Sequence, residues 1–309
     1  MQPSRLDSGA GYLLLPRAAD LTDGDAAVLY NKATDALPDN LDDKEIVDWT
    51  KRPLHELPQD KVEAVLQQVR ASLQLVSEAA LCKNCVWPAF RPDATLPNLP
   101  RYRQLAFLIS LKARLEIAQG KYDRAIETMR TGMAMAIHVG EARAVTEALV
   151  GIAVAGLVLR DVDQLTQAPG SPNLCAAIEA LPRPFVDVEK SIALELKALD
   201  AEPRLLLGRG IIRKQMEDTY VRVRQLSQRS EALFAAHQCV QALRHYAATH
   251  DNRLPAEFGD ITDVKLPNDP VSGRPFAYRL DGTKAILDVS APQGAGPGDA
   301  LRCEIEIAP

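Results

Sequence analysis

The chain has 309 residues, of which 47% are hydrophobic, 25% charged and 5% aromatic, and its formal net charge is −5. This length allows one large or two medium domains and a core that needs no disulfide bonds. A mildly acidic chain without a basic cluster is excluded as a typical nucleic-acid binder. Few aromatic residues among abundant alanine and leucine favour helix-on-helix packing, so we expect a mainly α fold.

The first third of the chain predicts a loose arm followed by three helices. Residues 1–22 show no periodicity and are expected to form the arm. Helices are predicted over 25–37, where Pro38 ends the pattern, over 41–49 and over 59–81. The apolar stripe of the last helix comprises Val62, Val65, Leu66, Val69, Leu73 and Val76.

Residues 101–139 predict an antiparallel helical hairpin. Helices over 102–118 and 122–139 are joined by a turn at Gly120, and small side chains at Ala125 and Gly132 would let the helices approach closely. The hairpin resembles a tetratricopeptide repeat, and the residues that carry the resemblance are Ala113, Gly120, Tyr122, Ala125 and Gly132. The next 34 residues do not repeat the pattern, so we expect one repeat-like hairpin rather than an array.

Four further helices are predicted, and the first three of them complete a helical domain over residues 23–210. They cover residues 141–165, 174–181, 186–199 and 211–249. The last of them has a charged first half and an apolar second half. We expect it to begin a second unit, residues 211–309.

The last sixty residues change from helical to turn and strand patterns. Strands are predicted over 276–280, 284–289 and 301–307, with Asp281-Gly282 as a hairpin signal between the first two. We therefore expect a small three-stranded antiparallel sheet that buries one face on the apolar half of the long helix, residues 233–246.

A sharp corner precedes the sheet, formed by Asp269, Pro270, Gly273 and Pro275. An Asp-Pro pair caps a turn with its carboxylate, and glycine supplies a positive φ. The order of long helix, Leu254-Pro255 turn, corner and hairpin resembles the C-terminal part of bacterial type II secretion pseudopilins. The resemblance implies that the corner is structural and that the setting is bacterial and linked to the cell envelope or secretion.

The same resemblance implies a calcium site in a later acidic loop. Here the loop over residues 290–300 carries only Asp299, with Asp288 before it, whereas calcium takes six to eight oxygen ligands. No metal or cofactor is therefore predicted. The patterns at 25–30 and 85–87 also resemble uncharacterised proteins of planctomycete-type bacteria, and that resemblance implies no activity.

No membrane span is expected, because the most apolar run covers only residues 148–159 and a span needs about 20 residues. The apolar segment 11–16 is too short for the core of a signal peptide. If the natural gene encodes an export signal or anchor ahead of Met1, the resemblance implies the periplasm or cell envelope. Otherwise the cytoplasm is expected.

Reactive side chains form no recognisable catalytic motif. Cys82 and Cys85 form a single CxxC motif. Three interpretations stay open: two ordinary thiols or a local disulfide, a redox role, or a metal site. His237 and His245 lie eight residues apart on one predicted helix. They are either histidines at the surface or the edge of the core or ligands of a metal ion, and both interpretations stay open. Gly208-Arg209-Gly210 is either a hinge or an anion-binding turn.

The leading hypothesis is a non-catalytic scaffold or protein-interaction protein. Tyr102, Arg103 and Tyr122 are predicted to border a groove for a peptide or partner helix, whose identity stays open, as does the oligomeric state. A rival is an enzyme with a site between the two units, and it would use Arg209, Arg213, His245 and Asp269. A second rival is a purely structural envelope component that self-associates through an exposed sheet edge.

Overall fold

The computed structural model describes residues 1–6, 11–87, 99–141, 144–201, 209–296 and 299–307. Its α-helices are α1 (Ala26–Asp35), α2 (Asp43–Trp49), α3 (Gln59–Gln68), α4 (Arg70–Ala80), α5 (Leu99–Ala118), α6 (Tyr122–Gly140), α7 (Val145–Gln167), α8 (Cys175–Glu179), α9 (Val188–Ala201) and α10 (Arg209–Thr249). Its strands are β1 (Thr22–Asp25), β2 (Cys82–Asn84), β3 (Ala277–Asp281), β4 (Lys284–Val289) and β5 (Leu301–Glu306). The predicted fold class, mainly α with a small antiparallel sheet after a long helix, is confirmed.

The centre of the larger core is formed by α5, α6 and α7. Gly120 has a φ of +68°, which a residue with a side chain adopts at a cost, and it makes the tight turn between α5 and α6. A Cβ atom at Gly132 would lie 2.7 Å from Val158 Cγ2, so the absence of a side chain there brings α6 against α7. The predicted helical hairpin is present, with α7 packed across it.

One predicted helix is two helices in the structure. The helix expected over 59–81 is interrupted at Val69, whose φ of −99° and ψ of 12° lie outside the helical range. The bend at this residue separates α3 from α4 and leaves Val62 on one side and Val76 on the other, both fully buried. The sequence pattern did not predict the bend, because the apolar stripe continues across Val69.

The expectation of a loose N-terminal arm was wrong for the described part of residues 1–22. The Gln2 N–H donates to the Thr166 carbonyl at 3.1 Å, and the Ser4 N–H donates to the Arg244 carbonyl at the same distance. Leu14 is 1% exposed, and β1 pairs in parallel with β2, a pairing that was not predicted. Irregular backbone carries no periodicity, so its tertiary hydrogen bonds leave no pattern in the sequence.

The C-terminal sheet has the strand order β3-β4-β5 with antiparallel pairing throughout. Asp281 pairs with Lys284, so the two-residue loop is Gly282-Thr283 and not the predicted Asp281-Gly282. Gly282 takes the positive φ, +62°, that such a turn demands. One face of the sheet packs on α10, as expected, and the smaller core there includes Ala236, Cys239, Leu243, Ala285, Leu287 and Ile305.

A buried polar group lies between α5 and α7. The Asp161 carboxylate accepts a hydrogen bond from Ser110 Oγ at 3.0 Å and lies 4.0 Å from Arg114 Nη1, while its Oδ2 atom has no partner among the described residues. Burial raises the pKa of Asp161 to about 7, although Ser110 and Arg114 act in the opposite direction. Between about pH 4 and pH 7 the folded protein therefore tends to hold a proton at Asp161 that the unfolded chain has released.

We expect Asp161→Asn to change the pH dependence of stability. The raised pKa contributes stability that is fully present below about pH 4 and is lost as the pH rises towards 7, because the unfolded carboxyl titrates near 3.9. The asparagine side chain does not titrate, so the variant does not lose stability in this way. The free energy of unfolding of the variant minus that of the original chain therefore rises by up to about 1.4 kcal/mol per pH unit between about pH 4 and pH 7. Urea unfolding at several pH values measures the difference, and a constant difference would contradict the prediction.

Candidate protein-binding cleft

A cleft runs between the α3–α4 pair and the α5–α6 hairpin. It consists of two adjoining cavities of about 500 and 250 Å³ that share Leu73, Ser77 and Lys112 in their walls. Its walls are contributed by α3, α4, α5 and α6. We call this surface the α4–α5 cleft.

The floor of the α4–α5 cleft is apolar. Leu73 of α4 is 9% exposed and Leu115 of α5 is 6% exposed, so both contribute only an edge to the surface. Leu66 of α3 is half-buried beside them. An apolar floor between two helices is a surface on which an apolar side chain of another molecule gains free energy by leaving water.

The rim of the α4–α5 cleft carries more cations than carboxylates. The cations in the two walls are Arg70, Lys112, Lys121, Arg124 and Arg130, and the carboxylates are Glu63, Glu116 and Glu127. Lys112 Nζ is already paired with Glu116 Oε1 at 2.9 Å. Arg70, Lys121 and Arg124 are exposed, and none of them makes an ion pair with another described residue. The rim is therefore positive on a chain whose net charge is −5.

The predicted groove residues do not line one surface. Tyr102 is 1% exposed, and its hydroxyl donates to Asn31 Oδ1 at 2.6 Å. Arg103 is exposed on α5, while Tyr122 is half-buried and donates its hydroxyl to the Pro169 carbonyl at 2.7 Å. Tyr102 lies in the first turn of α5 and Tyr122 follows its last turn, about 24 Å away along the axis. The structure therefore does not bring the three residues together.

The residues of the enzyme hypothesis are also dispersed. Arg213 and His245 lie 32 residues apart on α10, about 48 Å along the helix. Arg213 Nη2 bonds Asp200 Oδ2 at 2.6 Å, whereas His245 Nε2 lies 2.5 Å from Asp263 Oδ2. Arg209 begins α10, and Gly208 of the proposed anion-binding turn lies outside the described residues. The separation leaves no shared site for Arg213, His245 and Asp269.

The Asp269 corner is built as the sequence predicts. The Asp269 carboxylate accepts hydrogen bonds from the Val271 N–H at 2.9 Å, Ser272 Oγ at 3.1 Å and the Ser290 N–H at 3.2 Å. Gly273 has a φ of +69°, and its N–H donates to the Asp269 carbonyl. Burial acts to raise the pKa of Asp269, but these hydrogen bonds outweigh it and lower the pKa. Pro270 lies in the turn, and Pro275 forms an isolated bridge with Asn268.

Cys82 and Cys85 are free thiols in the structure. Burial raises the pKa of both, with Asp25 adding to the effect. A raised pKa opposes formation of the thiolate that redox exchange and metal binding need. Among the described residues, no cluster of three or more histidine, cysteine or acidic side chains could hold a metal ion.

Comparison with protein-family models, with curated proteins and with solved structures gives no match for this chain. None of the described helices combines the length and apolarity that crossing a bilayer requires. The resemblances to pseudopilins and to a tetratricopeptide repeat therefore stay predictions.

The residues of the α4–α5 cleft were not singled out by sequence reasoning. Arg70 and Glu63 lie outside the apolar stripe predicted for residues 59–81, and a polar residue off such a stripe is normally only solvated. Leu66 and Leu73 were assigned to the core. The available signal was the cation pair Lys121 and Arg124 directly after the Gly120 turn, which places both charges at one end of the hairpin.

Proposed function

We propose that the protein is a non-catalytic scaffold that binds a segment of another protein in the α4–α5 cleft. The observation that carries the proposal is the combination, in one cleft, of an apolar floor at Leu66, Leu73 and Leu115 with a rim whose cations outnumber its carboxylates. Catalysis needs converging polar groups, whereas recognition of a partner segment needs an apolar floor and a charged border.

The partner segment is an amphipathic helix with acidic flanks. A helix lays an apolar stripe at positions i, i+3, i+4 and i+7 into a groove of this kind, and α4, with 11 residues, offers a wall of about 16 Å. Arg70 stands on one wall, and Lys121 and Arg124 stand on the other. Carboxylates on both flanks of the bound helix would meet these cations, and Glu63 would repel a basic segment.

The cellular setting belongs to the same proposal. The corner over Asp269, Pro270, Gly273 and Pro275, with the hairpin after it, resembles pseudopilins, which supports a bacterial envelope- or secretion-associated role. The long helix α10 and the packed sheet are consistent with that resemblance.

A designed peptide pair tests the binding proposal. The probes are labelled amphipathic peptides of about 18 residues, five helical turns, with leucine on one face and glutamate on the flanks, or lysine in place of glutamate. We expect the acidic peptide to bind with a Kd in the micromolar range, about −8 kcal/mol, and the basic peptide to bind at least about tenfold more weakly. Fluorescence anisotropy measures both affinities.

The double substitution Arg70→Glu with Arg124→Glu is expected to lower the affinity for the acidic peptide by about tenfold or more, since attraction becomes repulsion on both walls. The matched control is Lys32→Glu with Lys44→Glu, which changes the net charge equally at exposed positions outside the cleft. Equal loss in both double variants, or equal binding of the two peptides, would refute the proposed site.

A further inference from the structure

A second groove borders the free edge of the C-terminal sheet. In the strand order β3-β4-β5, β5 pairs with β4 on one side only. A cavity of about 540 Å³ lies along Cys303–Glu306 of this strand, with α10 as its floor and α7 as its far wall. We call this space the β5 groove.

The main chain of β5 presents unused hydrogen-bonding groups to the β5 groove. Successive residues of an antiparallel strand direct their N–H and C=O groups to opposite edges. The Glu306 carbonyl oxygen accepts a hydrogen bond at 2.5 Å from the main-chain nitrogen of Met1, which lies outside the sheet. Glu304 is two residues from Glu306, so its N–H and C=O groups point in the same outward direction. Within the described residues, the N–H and C=O of Glu304 have no backbone partner.

The floor and wall of the β5 groove fit an added strand. Leu233, Ala236 and Val240 of α10 form an apolar floor, on which every second side chain of an extended segment would rest. The length of four residues of β5 is about 13 Å, enough to pair with a segment of similar length. An added strand would lie about 4.8 Å from β5.

The charge of the β5 groove selects the occupant. Asp163, Glu304 and Glu306 are exposed in its lining, which contains no lysine or arginine, so these three carboxylates outnumber the one amino group there, that of Met1. Burial lowers the pKa of His237, although Asp163 acts against this, so the histidine adds little positive charge at neutral pH. The groove is therefore acidic, opposite in sign to the rim of the α4–α5 cleft.

We propose that the β5 groove binds an extended peptide segment of another protein that alternates apolar residues with lysine or arginine. The segment adds as a fourth strand, with its main chain bonded to the outward groups of Glu304 and its basic side chains beside Asp163 and Glu304. This site is independent of the α4–α5 cleft, and either can fail without the other.

Hydrogen exchange and affinity measurements on the whole chain test the proposal. The probe is a short acetylated and amidated peptide of alternating valine and lysine, compared with its valine and glutamate analogue. We expect only the lysine peptide to bind and to slow exchange of the Glu304 amide hydrogen, because the amide becomes part of a new ladder. Unchanged exchange at Glu304, or equal binding of the two peptides, would overturn the proposal.

A proline substitution isolates the main-chain contact. Glu304→Pro removes an outward N–H and leaves the bonds between β4 and β5 in place, so we expect the lysine peptide to lose about tenfold in affinity. Leu280→Pro is the matched control, because Leu280 stands at an outward position on the other edge strand, β3. Equal affinity of Glu304→Pro and the control, or a dimer of the original chain formed through β5, would also overturn the proposal.

Discussion

Gly151→Ala is expected to destabilise the protein by about 2–4 kcal/mol, a large effect for the addition of one methyl group. An added Cβ atom would lie 2.6 Å from the Ala136 carbonyl oxygen and 2.6 Å from Gly140 Cα. Both are backbone atoms of α6, so no side chain can rotate away and the two helices must separate. Urea unfolding followed by circular dichroism measures the loss.

The same helix supplies the control for this substitution. Gly156 also lies in α7, and a Cβ atom there would meet nothing within 4 Å. We expect Gly156→Ala to stabilise the protein by about 0.5–1 kcal/mol, because alanine is the better helix former and restricts the unfolded chain. Equal effects at the two glycines would show that α6 and α7 do not approach each other as closely as the structure has it.

The close contact at Gly151 is an example of helix packing that the sequence does not predict. Ala125 and Gly132 were predicted, as small residues, to let the two hairpin helices α5 and α6 approach closely. In the structure a Cβ atom at Gly132 would lie closer to Val158 of α7, at 2.7 Å, than to Ile109 of α5, at 3.4 Å. Gly151 falls in the helix predicted over residues 141–165, within its apolar run over residues 148–159, and a continuous apolar run indicates no preferred face. Which glycine faces a neighbouring backbone depends on the partner helix, and periodicity within one segment does not contain that information.

The strands and the Asp269 corner were more accessible to prediction than the cleft. Alternation along residues 301–307 and the turn residues around Gly273 act locally, so a few neighbouring residues determine them. The α4–α5 cleft depends on the relative placement of the α3–α4 pair and the α5–α6 hairpin, which are distant in sequence. Tyr102 was predicted to border a surface groove, but it lies in the core. Its ring contacts Tyr30 and Trp87, which are distant in sequence, so local periodicity could not predict its burial.

Arg244 is the strongest example of a role fixed by tertiary structure. Its side chain is fully buried in the apolar half of α10, where the sequence predicts core contacts. It donates to the carbonyl oxygens of Gln2, Pro172 and Ser171, to Ser171 Oγ and to Gln241 Oε1, at 2.8–3.1 Å. Burial lowers the pKa of Arg244 to about 10, so it stays charged at neutral pH. It makes no ion pair with any carboxylate in the described ranges.

We expect Arg244→Met to cost about 3–5 kcal/mol, because methionine fills the space and leaves three main-chain carbonyls without their donor. The N-terminal segment loses its anchor as well, so amide exchange at Gln2 and Ser4 should accelerate before global unfolding. Arg222→Met is the control on the same helix, since Arg222 is exposed, and it should change stability by less than about 0.5 kcal/mol. Similar stability of the two variants would mean that the Arg244 network contributes little. In that case solvation of the N-terminal segment would compensate for the lost hydrogen bonds, and the segment would not be held in place by this side chain.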